Sequence, residues 1–467
     1  MTTFKFNETS KRYLPLDPHF YPMALNHRAF EQAVLASKHP VTIKIGIERE
    51  LNQIYVYDTM IFHDEENQFE ANTRFVERLI KTLLWSKGGY KIYIAAPREI
   101  QMYIKSVYAI DGMRSFDVDF MSKVYGKPFE VKSVDVAHFP KPYEMTKAIG
   151  RHLEGCRIGF DAGGSDRKVS AVIDGETVFS EEVVWHPKLM ADPDYHIQGI
   201  KESIEHAKAH LPRVDAIGVS AAGVYIDNEV KVASLFIKVP EDLFEQKVKT
   251  LFKDLAKAYG DIPLEVANDG DVTALAGAMS MQVTSVLGIA MGTSEAAGYV
   301  NDKGHITGWL NELAFVPIDY HEQAMEDEWS HDIGCGVKYF SQDAIIKLAV
   351  ASGISFDENL SPAEKLKVVQ KMMEDHDPKA IEIYETMGVY LGYGIAYYAL
   401  FYEIKHVLVL GRVLSGKGGE LMVQRANELM TSEFPELAEH ICIELPDEKS
   451  RRVGQSIAAA SLPELKK

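Results

Sequence analysis

The sequence predicts an α/β protein whose ligand site lies at the carboxyl ends of sheet strands, and three observations lead there. Four short segments, Asp161-Ala-Gly-Gly-Ser165, Asn268-Asp269, Gly292-Thr-Ser294 and Gly411-Arg-Val-Leu-Ser-Gly416, each follow an apolar, strand-like run. Open α/β sheets bind their ligands at such ends. From residue 157 the chain turns strand-rich and then alternates strand-like and helix-like periods, the pattern of sheets with helical crossovers. The residues up to 151 make a smaller block with its own hairpin and helix signals.

Within that first block, 41–47 and 54–57 alternate as a hairpin around Asn52-Gln53. Residues 73–85 have helical periodicity, and Lys91–Ala95 reads as a strand after Gly88-Gly89. The block is a small α/β domain with neither a helix-turn-helix pattern nor a basic recognition helix. Next, 157–160, 169–173 and 177–184 read as three antiparallel strands, with Asp174-Gly175 as a hairpin turn. A helix over 197–209, a strand over 216–219, a helix over 243–259 and a strand over 264–267 follow, then a helix over 272–279. Strands over 286–290 and 297–300, turning at Asn301-Asp-Lys-Gly304, open another unit. Residues 387–402 carry no charge, but they are short for a membrane span and contain Gly388, Gly392 and Gly394, so a buried core helix is expected. The expected units are 1–151, 152–284 and 285–467.

Composition narrows the partners. A chain of 467 residues with 46% hydrophobic and 25% charged residues has ample material for two or three globular units. A formal charge of −18 argues against a nucleic-acid or anionic-membrane partner, because phosphate binding needs a concentrated basic face. Cys156, Cys335 and Cys442 are odd in number and far apart, which argues for a reducing, cytoplasmic setting. The N-terminus has no basic region followed by an apolar stretch, so no secretory signal is expected.

The first and third segments are glycine and hydroxyl turns whose bare N–H groups can wrap phosphate oxygens, the second offers a carboxylate, and the fourth a flat glycine turn for a base. Together they suggest an ATP-dependent phosphotransferase. Each has a plainer reading: Asn268 and Asp269 are also good helix caps, and Asp-Ala-Gly-Gly is ample for a hairpin turn. Gly411-x4-Gly416-Lys417 nearly matches a P-loop but continues with Gly418, not the Ser or Thr that Mg²⁺ needs there. An adenosine-binding turn is the better reading.

In order and spacing, these segments resemble those of the ROK sugar kinases of the actin, Hsp70 and hexokinase superfamily. Ile158-Gly-Phe-Asp-Ala-Gly-Gly-Ser165 is similar to the family's first phosphate loop, and Leu287-Gly-Ile-Ala-Met-Gly-Thr-Ser294 to its second. Ile217-Gly-Val-Ser-Ala-Ala-Gly223 resembles the sugar-side glycine segment, Val266-Ala-Asn-Asp269 the catalytic Asn-Asp, and Val407 to Gly416 the adenosine segment. Asn311-Glu-Leu-Ala-Phe315 takes the place of the family's Gly-Glu-x-Gly-His. The resemblance runs from about Cys156 to the C-terminus, roughly two-thirds of the chain.

What the resemblance implies is specific. Two RNase H-like lobes of the actin/hexokinase type would close on ATP and a sugar in the cleft between them, with the small N-terminal α/β domain in addition. Asp269 would be the general base. Asn268, Glu312, Ala222 and Gly223 would bind the carbohydrate. The nucleotide would meet Asp161, Gly163, Gly164, Ser165, Gly292, Thr293, Ser294, Gly411, Arg412, Ser415 and Gly416. Asp161 would hold Mg²⁺ through water, and a cytoplasmic homodimer is implied.

The chain departs from the family mainly on the sugar side. Phe315 stands where the family has a sugar-contacting His, and Val337 where a second glutamate falls, which predicts looser or altered recognition. The region of the family's structural zinc keeps only Cys335, so no structural zinc is expected, although His321, His331 and Cys335 leave an alternative cluster to consider. An ATP-dependent carbohydrate kinase is the leading expectation. The alternative is a weak or inactive relative that senses a sugar or nucleotide, favoured by the altered sugar side and by Ser294 where the second loop usually has Gly. A scaffold ATPase would fit the fold but not Asn268-Asp269 or Glu312.

Overall fold

The computed structural model describes residues 3–145, 147–446 and 448–465; Met1, Thr2, Thr146, Asp447, Lys466 and Lys467, and the side chains of residues 448–453, lie outside the description. The N-terminal block runs α1 (Met23–Leu35), β1 (Val41–Glu48), β2 (Ile54–Ile61), α2 (Phe69–Lys87), β3 (Lys91–Ala95), α3 (Arg98–Val107), α4 (Ser115–Tyr125) and β4 (Glu130–Ser133). Its sheet has the order β2-β1-β3-β4. The hairpin turn falls on Leu51 and Asn52, both left-handed, one residue before the expected site. Helix α2 extends past both expected ends and is buried nearly all round, as a helix packed between layers must be.

The first lobe comprises β5 (Cys156–Ala162), β6 (Asp166–Ile173), β7 (Glu176–Val184), α5 (Pro193–Lys208), β8 (Ala216–Ala221), β9 (Val224–Ile226), β10 (Glu229–Val232), α6 (Glu241–Leu243), α7 (Leu251–Ala258), β11 (Leu264–Asn268) and α8 (Asp269–Met281). Its five-stranded sheet has the order β11-β8-β5-β6-β7. β5, β6 and β7 pair antiparallel, while β5, β8 and β11 are parallel. Asp174 and Gly175 have φ of 47° and 86°, the two positive values a two-residue hairpin favours. The helix expected over 243–259 is broken instead. Phe244–Val248 forms a π turn, and Val230 N–H donates to the carbonyl of Lys249 at 3.0 Å, diverting a group that a continuous helix would use.

The second lobe comprises β12 (Val286–Met291), β13 (Glu295–Val300), α9 (Gln342–Ala351), α10 (Pro362–Glu374), α11 (Pro378–Tyr398), β14 (His406–Leu410), α12 (Lys417–Glu433), α13 (Pro435–Ala438) and β15 (Cys442–Glu444), followed by α14 (Glu448–Ala460). Its sheet has four strands in the order β13-β12-β14-β15, and beyond the 301–304 turn only an isolated bridge joins Val300 to Ile306. Most of the uncharged stretch lies in α11 and packs against α12. Among the described residues no helix is long and apolar enough to cross a membrane.

We propose 1–151, 152–284 and 285–467 as units, with a core that crosses both boundaries. One apolar cluster runs from Phe6, Phe30, Ile45 and Leu84 to Ile289, Tyr397 and Val409, so the N-terminal block and second lobe share an interior. The buried Lys87 side chain seals the joint: its Nζ donates to the Phe401 carbonyl at 2.6 Å and lies 3.2 Å from the centre of the Trp309 ring, while burial pulls the amine well below the usual lysine range. At the other end, α14 returns to the first lobe and packs on α8, β5 and β8. Gly159 and Gly218 carry no Cβ that would strike the α14 backbone, and this lets the helix settle on the sheet.

Candidate active site

Three carboxylates from distant segments converge at the strand ends. Asp161 is buried at the end of β5, where Ser220 Oγ of the neighbouring β8 donates to its Oδ1 at 2.9 Å. Burial pushes Asp161 up to about 6, with the Asp269 charge adding to the rise and the Ser220 bond opposing it. Asp269 is half-buried at the first position of α8, and burial raises its carboxyl too; the Gly270 N–H, 3.0 Å from Oδ1, and the charge of Lys188 pull the other way. Glu312 is pushed up to about 7 by burial and by Asp269. Asp269 is thus the charge that both of the others feel.

Asn268 joins strand to helix and both readings of it are realised. Its Oδ1 accepts from Gly270 N–H at 2.7 Å as an N-cap, while its Nδ2 donates to the Gly223 carbonyl at 2.8 Å. That second bond draws the Ala222-Gly223 turn, where Tyr225 Oη donates to the Ala222 carbonyl at 3.1 Å, beside the Asn-Asp pair. Neighbouring Asp271 is buried and works structurally: its Oδ1 accepts from Tyr299 N–H at 3.0 Å and from Asn311 Nδ2 at 2.9 Å.

Segment 310–312 is carried by the N-terminal block. The N–H groups of Leu310, Asn311 and Glu312 donate to the carbonyls of Lys87, Ser86 and Trp85 at 3.3, 3.1 and 3.0 Å. These belong to the last turn of α2, whose carbonyls have no partner within the helix. Residues before 152 therefore set the position of Glu312, a connection that no local sequence signal carries.

The glycine turns are exposed at the rim. Gly164 and Ser165 are open to solvent; Trp185 Nε1 donates to the Gly163 carbonyl at 2.8 Å, and Trp185 N–H to the Ser165 carbonyl at 3.1 Å. In the second lobe, Gly292 N–H closes its turn on the Ser294 carbonyl at 2.9 Å, leaving Thr293 and Ser294 exposed. Gly411 has φ of 105°, and a Cβ there would collide with the Met291 carbonyl, so only glycine lets the β14 turn lie against the end of β12. Arg412 Nη2 donates to Thr293 Oγ1 at 2.9 Å and ties this turn to the Gly292 turn. Ser415 and Gly416 are exposed beyond it. Ser220 falls within the 217–223 segment, but its bond to Asp161 has no sequence signal, and Trp185 and Lys188, a lone tryptophan and a loop lysine, belong to no motif.

Phe315 and Val337, where the chain departs from the resembled pattern, are both engaged in packing. The Phe315 ring packs on Trp85 with centroids 4.2 Å apart and on Phe116 at 5.7 Å, so it is engaged with α2 and α4. Val337 is buried with Ala314 and Cys335. Asp332, three residues before Cys335, accepts from Arg78 at 2.9 and 3.0 Å, pairs with Arg114 at 2.8 Å and Lys81 at 3.4 Å, and receives the Cys335 thiol at 3.6 Å. His331 faces Glu326 on the surface, and His321 stacks on His19. Among the described residues no three His, Cys, Asp or Glu side chains gather as a metal site.

The comparisons with known proteins agree with this architecture. The model of the ROK family matches residues 157–457. Among solved structures, the chain is similar to a ROK hexokinase from Thermus thermophilus at 18% identity and a TM-score of 0.50, covering 65% of this chain and 97% of that one. It is equally similar to a ROK family transcriptional regulator, a homologue of the E. coli Mlc protein, at 18% identity and a TM-score of 0.50, covering 78% of this chain and 89% of that one. No curated protein matches the chain. With a family match over more than half its length and the two-lobed α/β fold described above, the chain belongs to the ROK family.

Proposed function

We propose that the protein transfers the γ-phosphoryl group of ATP to a carbohydrate hydroxyl, with Asp269 as general base. The observation that carries this reading is the convergence of Asp161, Asp269 and Glu312, with Asp269 acting on both of the others. Phosphoryl transfer asks little covalent chemistry of a protein and mostly alignment, charge neutralisation and a proton acceptor. Asp269 Oδ1 is occupied by the Gly270 N–H, which leaves Oδ2 to take the acceptor's proton. Asn268, Glu312 and the Ala222-Gly223 turn orient the sugar; the turns at Gly163 and Gly292 hold phosphates, and Gly411 to Gly416 the adenosine.

The residues fit the expected groups. The exposed, bare backbone of the Gly164 and Gly292 turns offers unshielded N–H groups for phosphate oxygens. Asp161 is a lone buried carboxylate at the first of these turns, which suits Mg²⁺ held through water, since this ion keeps most of its hydration shell. When bound, Mg²⁺ neutralises charge on the transferring group. Sensing without turnover is the competing reading. A screen of hexoses, amino sugars and polyols for ATP-dependent ADP release, with the sugar phosphate identified by mass, tests the proposal. Nucleotide binding without product from any acceptor would favour sensing.

A further inference from the structure

Lys188 has no place in the sequence motifs, yet the fold fixes it over the first phosphate turn. A Cβ built on Gly164 would lie 3.1 Å from Lys188 Cε and 3.3 Å from its Nζ, so the ammonium hangs directly above this bare glycine. The backbone around it is stapled down. Trp185 bonds the turn through its indole to Gly163 and through its N–H to Ser165. The buried His196 ring lies 3.0 Å from the Pro187 carbonyl, and Pro187–Leu189 forms a tight 3-10 turn that presents the lysine.

The charge of Lys188 is otherwise uncommitted. It is exposed and forms no ion pair among the described residues, in a chain with 68 acidic side chains against 50 basic ones. Its charge does reach Asp269. The turn is flanked by Asp161 and by Asp166, the latter paired with Lys168 at 3.4 Å, and a cation above the turn offsets the repulsion between the Asp161 charge and an arriving polyphosphate.

We propose that Lys188 is a catalytic residue that pairs with the terminal phosphoryl oxygens of the bound nucleoside triphosphate; this rests on the reading of the chain as an ATP-dependent kinase. In the step it assists, the acceptor oxygen forms a bond to the γ-phosphorus, the bond from that phosphorus to the β–γ bridging oxygen breaks, and ADP leaves. The hydroxyl proton passes to Asp269. Lys188 stays protonated and neutralises the oxygens of the group in flight.

The test uses the full-length protein and calorimetric titration with Mg-AMPPNP and Mg-ADP against the wild type, Lys188→Met and Lys188→Arg. Lys188→Met should weaken AMPPNP by about 10- to 100-fold, the loss of one charge-assisted bond, while ADP affinity stays within about two-fold of wild type on the same scale. Lys188→Arg should recover most of the loss. Equal affinities for AMPPNP in wild type and Lys188→Met, or equal losses for AMPPNP and ADP, would overturn the assignment while leaving the kinase reading intact. Failure of the wild type to bind either nucleotide would overturn both.

Discussion

Replacing Asp332 by asparagine should loosen the joint between the N-terminal block and the second lobe. Around this residue Arg78, Lys81 and Arg114 face Glu77, Asp117 and Asp332, three cations against three carboxylates in a nearly dry interior. Burial alone would raise the Asp332 carboxyl, but the charges of Arg78 and Lys81 outweigh it and hold it below the usual carboxylate range. Asparagine keeps the shape, removes one charge and leaves a cation uncompensated. Removing one member of such a buried pair costs about 3 to 5 kcal/mol, a large share of the roughly 5 to 15 kcal/mol that holds a domain together. Urea unfolding at pH 7, followed by intrinsic tryptophan fluorescence, should show a midpoint lower by about 1 M or more, given slopes of a few kcal/mol per molar. Because the carboxyl is depressed, its contribution is present above the ordinary carboxylate pKa and lost as pH falls through the folded value, so the variant and wild type should converge in acid. A change below about 1 kcal/mol, the size of a surface pair, would refute the view that this network is buried and cohesive.

Two further outcomes follow from the site. Asp271 is pushed up to about 7 by burial, so its protonated form favours the fold; the stability is full below the unfolded pKa and falls as pH rises towards 7, by about 4 kcal/mol for a rise of roughly three units. Asp271→Asn should flatten this slope, and melting curves for the two proteins that run parallel between pH 5 and pH 8 would contradict the assignment. Gly411→Ala places a Cβ against the Met291 carbonyl at a φ that disfavours it, so the rise in melting temperature on adding Mg-ATP should shrink strongly while the second lobe still folds. An unchanged rise would remove Gly411 from the nucleotide site.

Local chemistry made the turns and strand ends legible. Asp174-Gly175 announces its hairpin, Asn268 announces the start of α8, and each glycine turn follows an apolar strand that places it at the rim of a sheet. The long-range arrangement was not legible for physical reasons. Residues 73–85 read only as a helical period, yet Glu77, Arg78 and Lys81 within it are buried: Asp332, more than two hundred residues away, supplies the counter-charge of Arg78 and Lys81, and Arg78 and Arg114 supply that of Glu77. Phe315 reads as a lost sugar contact, whereas its ring is held by Trp85. The π turn at Phe244–Val248 has no sequence mark, since the apolar period continues through it. Lys188 gains meaning only when folding lays it over Gly164.

Asp269 is the proton acceptor we propose for phosphoryl transfer to a carbohydrate. The most direct measurement compares wild type and Asp269→Asn in sugar-stimulated ADP release, with Mg-AMPPNP affinity measured on the same preparations. A sugar should stimulate the wild type, turnover should fall by about 10²- to 10⁴-fold in the variant, and nucleotide affinity should be nearly equal in both. Turnover in Asp269→Asn equal to that of the wild type would return Asp269 to the role of a helix-initiating residue and contradict the mechanism.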